Sequence, residues 1–213
     1  MFANPEVWQF PYGRAFDREE TRVFLDMQMA EWGECGFGCW VAVHRAERRI
    51  IGYLGLSVPM FLPEILPAVE VGWRFDPGYW GQGLATEGAR AALREGFTTL
   101  GLEEITSVPQ ADNPPSARVC ERLAMTLDRV VSIPANDRRG ELEALLSTHS
   151  RRLASQQLKQ ESANMGLAVR LAEGSGFADL GERFGPLLQG CVHRFEPGSG
   201  LGRSIRPHGH LRP

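Results

Sequence analysis

The segment Gly78-Tyr79-Trp80-Gly81-Gln82-Gly83-Leu84-Ala85-Thr86-Glu87 sets a glycine-rich turn directly before a helix. The first N–H groups of an α-helix have no partner inside the helix, and its N-terminus carries about half a positive charge. Glycines just ahead of it let the chain take φ > 0 without strain and let an anion come close to the backbone. Residues in this order suit the gripping of a nucleotide-like anion. A P-loop is excluded, because that device needs a Lys and none follows Gly83. A dinucleotide fingerprint fits poorly: Gly81-Gln82-Gly83 begins one, but Thr86 stands where a third Gly or Ala is needed. A Gly-x-Gly alone is equally an ordinary tight turn, so its meaning depends on its surroundings.

Other residues could carry chemistry. Glu70 lies on an alternating strand, on a face different from that of Val69 and Val71. Ser116 and Cys120 share one face of a helix entered through Asn113-Pro114. Asn113 is a natural N-cap there, and Pro114 at the first helical position loses no needed N–H. His193, His208 and His210 fall in a carboxy-terminal stretch whose runs, such as Arg206-Pro207-His208-Gly209-His210, are low in complexity. They are read as part of a disordered tail and not as a metal site. The four cysteines, Cys35, Cys39, Cys120 and Cys191, contain no Cys-x2-Cys pair, so neither zinc nor a disulfide framework is indicated.

The elements that must position these residues are those of an α/β domain. Asp17-Arg18-Glu19-Glu20 reads as a capping box opening a helix to Trp32, ended by Gly33. Phe37 to His44 and Ile50 to Ser57 form a hairpin, and Val69 to Phe75 a third strand. After the glycine turn, Ala85, Ala89, Ala92, Leu93, Gly96, Phe97 and Leu100 make one apolar helical stripe, with Glu87, Arg90, Arg94 and Glu95 toward water. Ile105 to Val108 is the next strand, and Val130 to Ile133 with Glu141 to Ser147 the closing hairpin, turned over Pro134 to Gly140.

At 213 residues with 43% apolar content, the chain can bury one good core and carry an appendage. A net charge of −3 gives no basic surface for nucleic acid. The opening Met1-Phe2-Ala3-Asn4-Pro5-Glu6 lacks the basic and apolar regions of a signal peptide. The longest apolar stretch, Val58 to Val71, is broken by Pro59, Pro63, Glu64 and Pro67, so no membrane span is expected. A reduced, cytoplasmic protein is the expectation.

Trp80 to Glu87 closely resembles the acetyl-CoA pyrophosphate loop of the GNAT superfamily of N-acetyltransferases, most of all the branch containing ribosomal-protein N-terminal acetyltransferases. That loop is usually Arg/Gln-x-x-Gly-x-Gly/Ala. Gly83 and Ala85 match its last fixed positions, while Trp80 replaces the Arg or Gln, removing a side-chain donor but leaving the backbone cradle. A second family pattern follows, Asn113-Pro114-Pro115-Ser116 leading to Val119, Glu121, Leu123 and Met125. The likeness extends upstream through Gly38 to Val43 and Ile51 to Leu56 and covers roughly residues 5 to 148. It implies a GNAT-like α/β (α+β) fold: a mixed, mostly antiparallel central sheet flanked by helices. The family's usual first strand and helix are missing ahead of Asn4-Pro5-Glu6-Val7-Trp8, and Ala124 stands where relatives carry a glycine cap. The expected organisation is an amino-terminally truncated acetyltransferase domain over 1–150 and a tail over 151–213, partly helical or disordered.

The resemblance implies transfer of an acetyl group from acetyl-CoA, a co-substrate needing no metal, to a primary amine. Trp80, Gly81, Gln82, Gly83, Leu84, Ala85 and Thr86 would hold the pyrophosphate. Trp73, Arg74 and Phe75 would offer backbone groups to the pantetheine amides like an added strand, and Asn113 and Ser116 would lie beside them. An alkyl ammonium with pKa near 10 must lose its proton, and Glu70 is assigned as that base. Backbone N–H groups of the splayed strand can stabilise the developing oxyanion. Cys120 occupies the position where the family often carries a Tyr acid. Ser116 acting through water, or solvent alone, are the other routes to the thiolate. The partner is an amine acceptor, a small molecule or a protein N-terminus, with no nucleic acid or membrane and with a homodimer left open. Trp8, Phe10, Pro11, Tyr12, Phe16, Trp32, Phe37 and Trp40 make an aromatic-rich region that walls the acceptor channel in the family. The alternative is a degenerate GNAT module that holds CoA without catalysis. Trp80, Cys120 and the missing strand favour it; the glycine turn, Asn113 and Glu70 oppose it.

Overall fold

The computed structural model describes residues 1–134 and 141–150. The tail expected over 151–213 and the tip of the closing hairpin lie outside the described residues. Residues 1–16 run as turns, and no strand precedes the first helix among the described residues.

Helix α1 (Arg18–Cys35) opens through the expected capping box: Asp17 accepts from the Glu20 N–H at 2.8 Å, and Glu20 accepts from the Asp17 N–H at 2.9 Å. It does not stop at Gly33. A single glycine inside a helix costs only about 1 kcal/mol, and the left-handed turn falls instead at Gly36, φ 73°, whose N–H reaches Trp32 O at 3.1 Å. The Trp32 indole then donates to Cys39 O at 3.0 Å, fixing the helix end to the sheet.

Strands β1 (Cys39–His44), β2 (Arg49–Ser57) and β3 (Glu70–Phe75) are joined antiparallel in that order. Helix α2 (Leu84–Thr98) crosses to β4 (Glu104–Ser107), followed by α3 (Pro114–Arg122), β5 (Thr126–Pro134) and β6 (Glu141–Ser150). The six strands form one sheet in the order β1-β2-β3-β4-β6-β5, antiparallel except between β3 and β4. This is the mixed, mostly antiparallel sheet with flanking helices that the sequence implied.

The two faces of the sheet carry different layers. Helix α2 lies against Leu54, Leu56 and Ile105, held close by glycines. A Cβ on Gly88 would come within 2.2 Å of Leu54, and one on Gly96 within 2.5 Å of Ile105. Ala89, Ala92, Leu93, Gly96 and Phe97 are buried as the stripe required, and Leu84, Thr86 and Gly88 join them. Glu87 does not point to water. It is half-buried, its Oε1 enclosed without a hydrogen-bond partner among the described residues, and desolvation pushes its carboxyl up.

The other face is covered by α1 and the amino-terminal turns. Trp8, 1% exposed, stacks on Phe16 at 3.7 Å, while Phe2 and Phe24 pack on Tyr53 of β2. Arg74 of β3 fastens this layer to the sheet. Its guanidinium lies 4.1 Å from the Trp8 ring centre and donates to Tyr53 Oη at 3.0 Å, to Phe10 O at 2.9 Å and to Val7 O. Buried, charge-assisted bonds of this kind are among the stronger ones a fold can make.

Helix α3 begins as expected, with Asn113 Oδ1 accepting from the Ser116 N–H at 3.3 Å. Its exit passes through Ala124 at φ 54°, the left-handed conformation that a glycine would hold without strain.

Candidate active site

Strands β3 and β4 share one register position, Glu70 opposite Thr106. Around it, the Thr106 N–H donates to Val69 O at 2.9 Å, and the hydroxyls of Thr106 and Ser107 donate to Val69 O and Val71 O at 3.2 and 3.1 Å. No further Cα partner follows, so the rest of β3 faces β4 without a ladder. A cavity of about 500 Å³ opens at this parting. Glu70, Gly72, Trp73 and Arg74 line it on one side, with Ser107, Gln110, Asn113 and Ser116 on the other.

Glu70 is the carboxylate at the parting. Its position opposite Ser57 puts it on the sheet face of Tyr53 and Arg74 rather than that of α2. Ser57 Oγ donates to Glu70 Oε1 at 3.1 Å. Burial raises its carboxyl to about 7; the Ser57 hydrogen bond opposes the rise, and the nearby Glu31 carboxylate adds to it. A carboxylate that titrates near neutrality inside a cavity is suited to proton abstraction.

The remaining expected residues divide. Asn113 and Ser116 reach the cavity. Cys120 does not line it. At 4% exposure it packs in the core with Val119 and Leu123, its thiol hydrogen-bonded to Ser107 and pushed up by burial. It therefore stands one residue behind the wall rather than beside a reacting group. Phe75 is also buried, and its carbonyl is taken by the Trp80 indole at 2.8 Å. Trp80, in place of an Arg or Gln, anchors the turn to the end of β3 while half its surface stays exposed.

The glycine turn lies at the surface, beyond the cavity lining. Asp76 accepts from the Gly78 N–H at 3.0 Å, and Gln82 Nε2 donates to Gly78 O at 3.3 Å, so the approach to the turn is held by side chains. Gly81 and Gly83 have φ of 74° and 83°, and Gly83 is the N-cap of α2 with no side-chain cap. The opening N–H groups of α2 are thus left for an outside acceptor. A Cβ at either glycine would meet nothing within 4 Å, so the positive φ, not crowding, calls for glycine.

Of the expected aromatic wall, Trp8, Phe10, Pro11 and Tyr12 line the cavity, whereas Phe16, Trp32, Phe37 and Trp40 do not. Sequence reasoning missed Phe24, Tyr53, Phe61, Ser57 and Gln110, all of which do. Ser57 could have been found only through the β2–β3 register. Among the described residues no group of three metal-type ligands is present, and no helix is long and apolar enough to cross a membrane.

An uncapped, glycine-led helix beside a parted β3–β4 pair can be compared with known proteins. The model of the acetyltransferase (GNAT) domain matches residues 1–126. The chain belongs to the GNAT acetyltransferase family. Among relatives of this GNAT chain, FsC-acetyl coenzyme A-N(2)-transacetylase of Aspergillus fumigatus is 32% identical over 58% of the chain, though the match spans only 54% of that enzyme. The uncharacterized protein YkkB of Bacillus subtilis is 27% identical over 62% of the chain and 74% of its own length. A solved acetyltransferase from Agrobacterium tumefaciens is 29% identical, with a TM-score of 0.55 over 70% of this chain and 80% of that one. A spermidine N-acetyltransferase from Vibrio cholerae, solved with CoA and spermine, shares the fold at 14% identity, with a TM-score of 0.57 over 72% and 87% of the two chains. Acetyl-CoA is the acetyl donor of the family, and the turn and the parted strands found here fit it.

Proposed function

We propose that this GNAT chain moves an acetyl group from acetyl-CoA to a primary amine, with Glu70 as the general base. The observation that carries this is the Glu70 carboxyl, raised to about 7, standing in a cavity where β3 and β4 part. The uncapped turn at Gly81 to Thr86 would take the pyrophosphate, and the ladder-free edge of Gly72 to Arg74 the pantetheine amides, with Asn113 and Ser116 beside them. Glu70 accepts a proton from the ammonium, directly or through one water. The freed amine nitrogen forms an amide bond to the acetyl carbon as the carbon–sulfur bond breaks, and the second proton that nitrogen sheds on becoming an amide passes to the departing thiolate through solvent or Ser116. Holding amine and thioester together supplies much of the remaining acceleration.

The second reading, a module that holds CoA without turnover, draws on Cys120 lying in the core and Trp80 replacing a polar donor. The family alone admits a protein N-terminus or a small molecule as acceptor. A thermal-shift titration with acetyl-CoA, followed by free-thiol release over a panel of amines, separates the readings. Stabilisation with turnover supports the enzyme. Stabilisation without turnover on any amine supports the module, and no stabilisation removes both.

A further inference from the structure

We infer that the acceptor is a monoamine with an apolar, ring-sized body, not a polyamine. This rests on reading the Glu70 cavity as the acceptor site. Among the described residues lining that cavity, Glu70 is the sole carboxylate, set against two guanidiniums, Arg14 and Arg74. One carboxylate suits one ammonium; among the described lining residues no second counter-charge waits for a further cation on the acceptor.

The Arg74 guanidinium cannot swing aside to relieve this. Arg74 is fixed on Phe10 O, Val7 O and Tyr53 Oη, and Arg14 is paired with Glu20. Glu31, whose charge is felt at Glu70, does not line the cavity; its carboxylate accepts from the Val58 N–H at 2.6 Å. Trp8, whose ring type makes the best cation–π face, is closed to a second ammonium. Trp8 already carries Arg74 at 4.1 Å and stacks on Phe16 at 3.7 Å, so its ring is occupied.

What the walls do offer is apolar surface. Tyr12 and Phe61 line the cavity yet remain 38% and 43% exposed. Covering such rings favours an acceptor whose body beyond the amine is itself apolar. Phe24 and Phe10 continue the same lining inward.

The test measures binding and turnover of 2-phenylethylamine and of spermidine on the full chain saturated with CoA or acetyl-CoA. The expected result is tighter binding of 2-phenylethylamine, with kcat/KM higher by at least about tenfold, the size of discrimination that an apolar pocket supplies. Phe61→Ala should weaken 2-phenylethylamine several-fold and leave the acetyl-CoA dissociation constant unchanged. Equal or better binding of spermidine, or no measurable binding of 2-phenylethylamine, overturns the inference. Binding of 2-phenylethylamine without any acetylation would uphold the acceptor class and sink the enzymatic reading instead, so the two fail separately. Retained affinity in a folded Phe61→Ala chain would also count against it.

Discussion

Glu70→Gln removes an ionisable carboxyl from a desolvated position and keeps an oxygen able to accept from Ser57 Oγ. In the folded chain the carboxyl is raised from 4.5 to about 7, chiefly by burial. The unfolded chain ionises near the lower value. Between the two, the folded state holds a proton that the unfolded state has released, so stability falls as pH rises through that window and the loss is complete above about 7. Each tenfold difference in proton affinity is worth about 1.4 kcal/mol, which bounds the loss at about 3 kcal/mol. Water entering through the cavity mouth lowers it toward about 1–2 kcal/mol. The variant should therefore be the more stable protein at pH 8, by about 1–3 kcal/mol, and the advantage should vanish near pH 4.5. Urea unfolding of both proteins across this range, followed by circular dichroism, reads the difference directly. A variant less stable than wild type at pH 8, or an advantage that grows toward acid, would refute the reasoning.

Gly83→Val puts a branched side chain at a positive φ, costing about 1–2 kcal/mol, and fills open space where a phosphate would approach the turn. It should abolish acetyl-CoA-dependent thermal stabilisation while the chain still unfolds cooperatively; unchanged affinity would clear the turn of that role. Ala124→Gly relieves a left-handed alanine at φ 54° and should stabilise by about 0.5–1 kcal/mol, seen as a raised Tm. A lowered Tm would contradict it. Arg74→Met leaves the Phe10 and Val7 carbonyls without their charged donor. It should cost about 2–4 kcal/mol and speed amide exchange across residues 1–16, which unchanged protection would disprove.

What could be read from sequence was what local rules decide. The start of α2 and the Asn113 cap follow from residues within a few positions of one another, while the left-handed exit at Ala124 comes from the glycine that the resembling family carries there. What could not be read depends on pieces of chain brought together by the fold. Ser57 reaches Glu70 only because β2 and β3 pair in that register, and Arg74 meets Val7 across 67 positions. Cys120 illustrates the limit of periodicity. It shares a helix face with Ser116, but one turn further along α3 that face has passed from the cavity into the core. The local rule ends α1 at Gly33, whereas the stop falls at Gly36, beside the tie between Trp32 and Cys39.

Mass spectrometry of a primary amine incubated with isotopically labelled acetyl-CoA tests the central claim most directly. Wild type should place the label on the amine nitrogen, at a rate that climbs as pH rises through about 7, where Glu70 ionises. Glu70→Gln should bind acetyl-CoA as wild type does but transfer the label about 10² to 10⁴ times more slowly, the usual cost of a lost general base. Transfer by the Gln variant at near-wild-type rates, or a wild-type rate indifferent to pH across that range, would contradict the account.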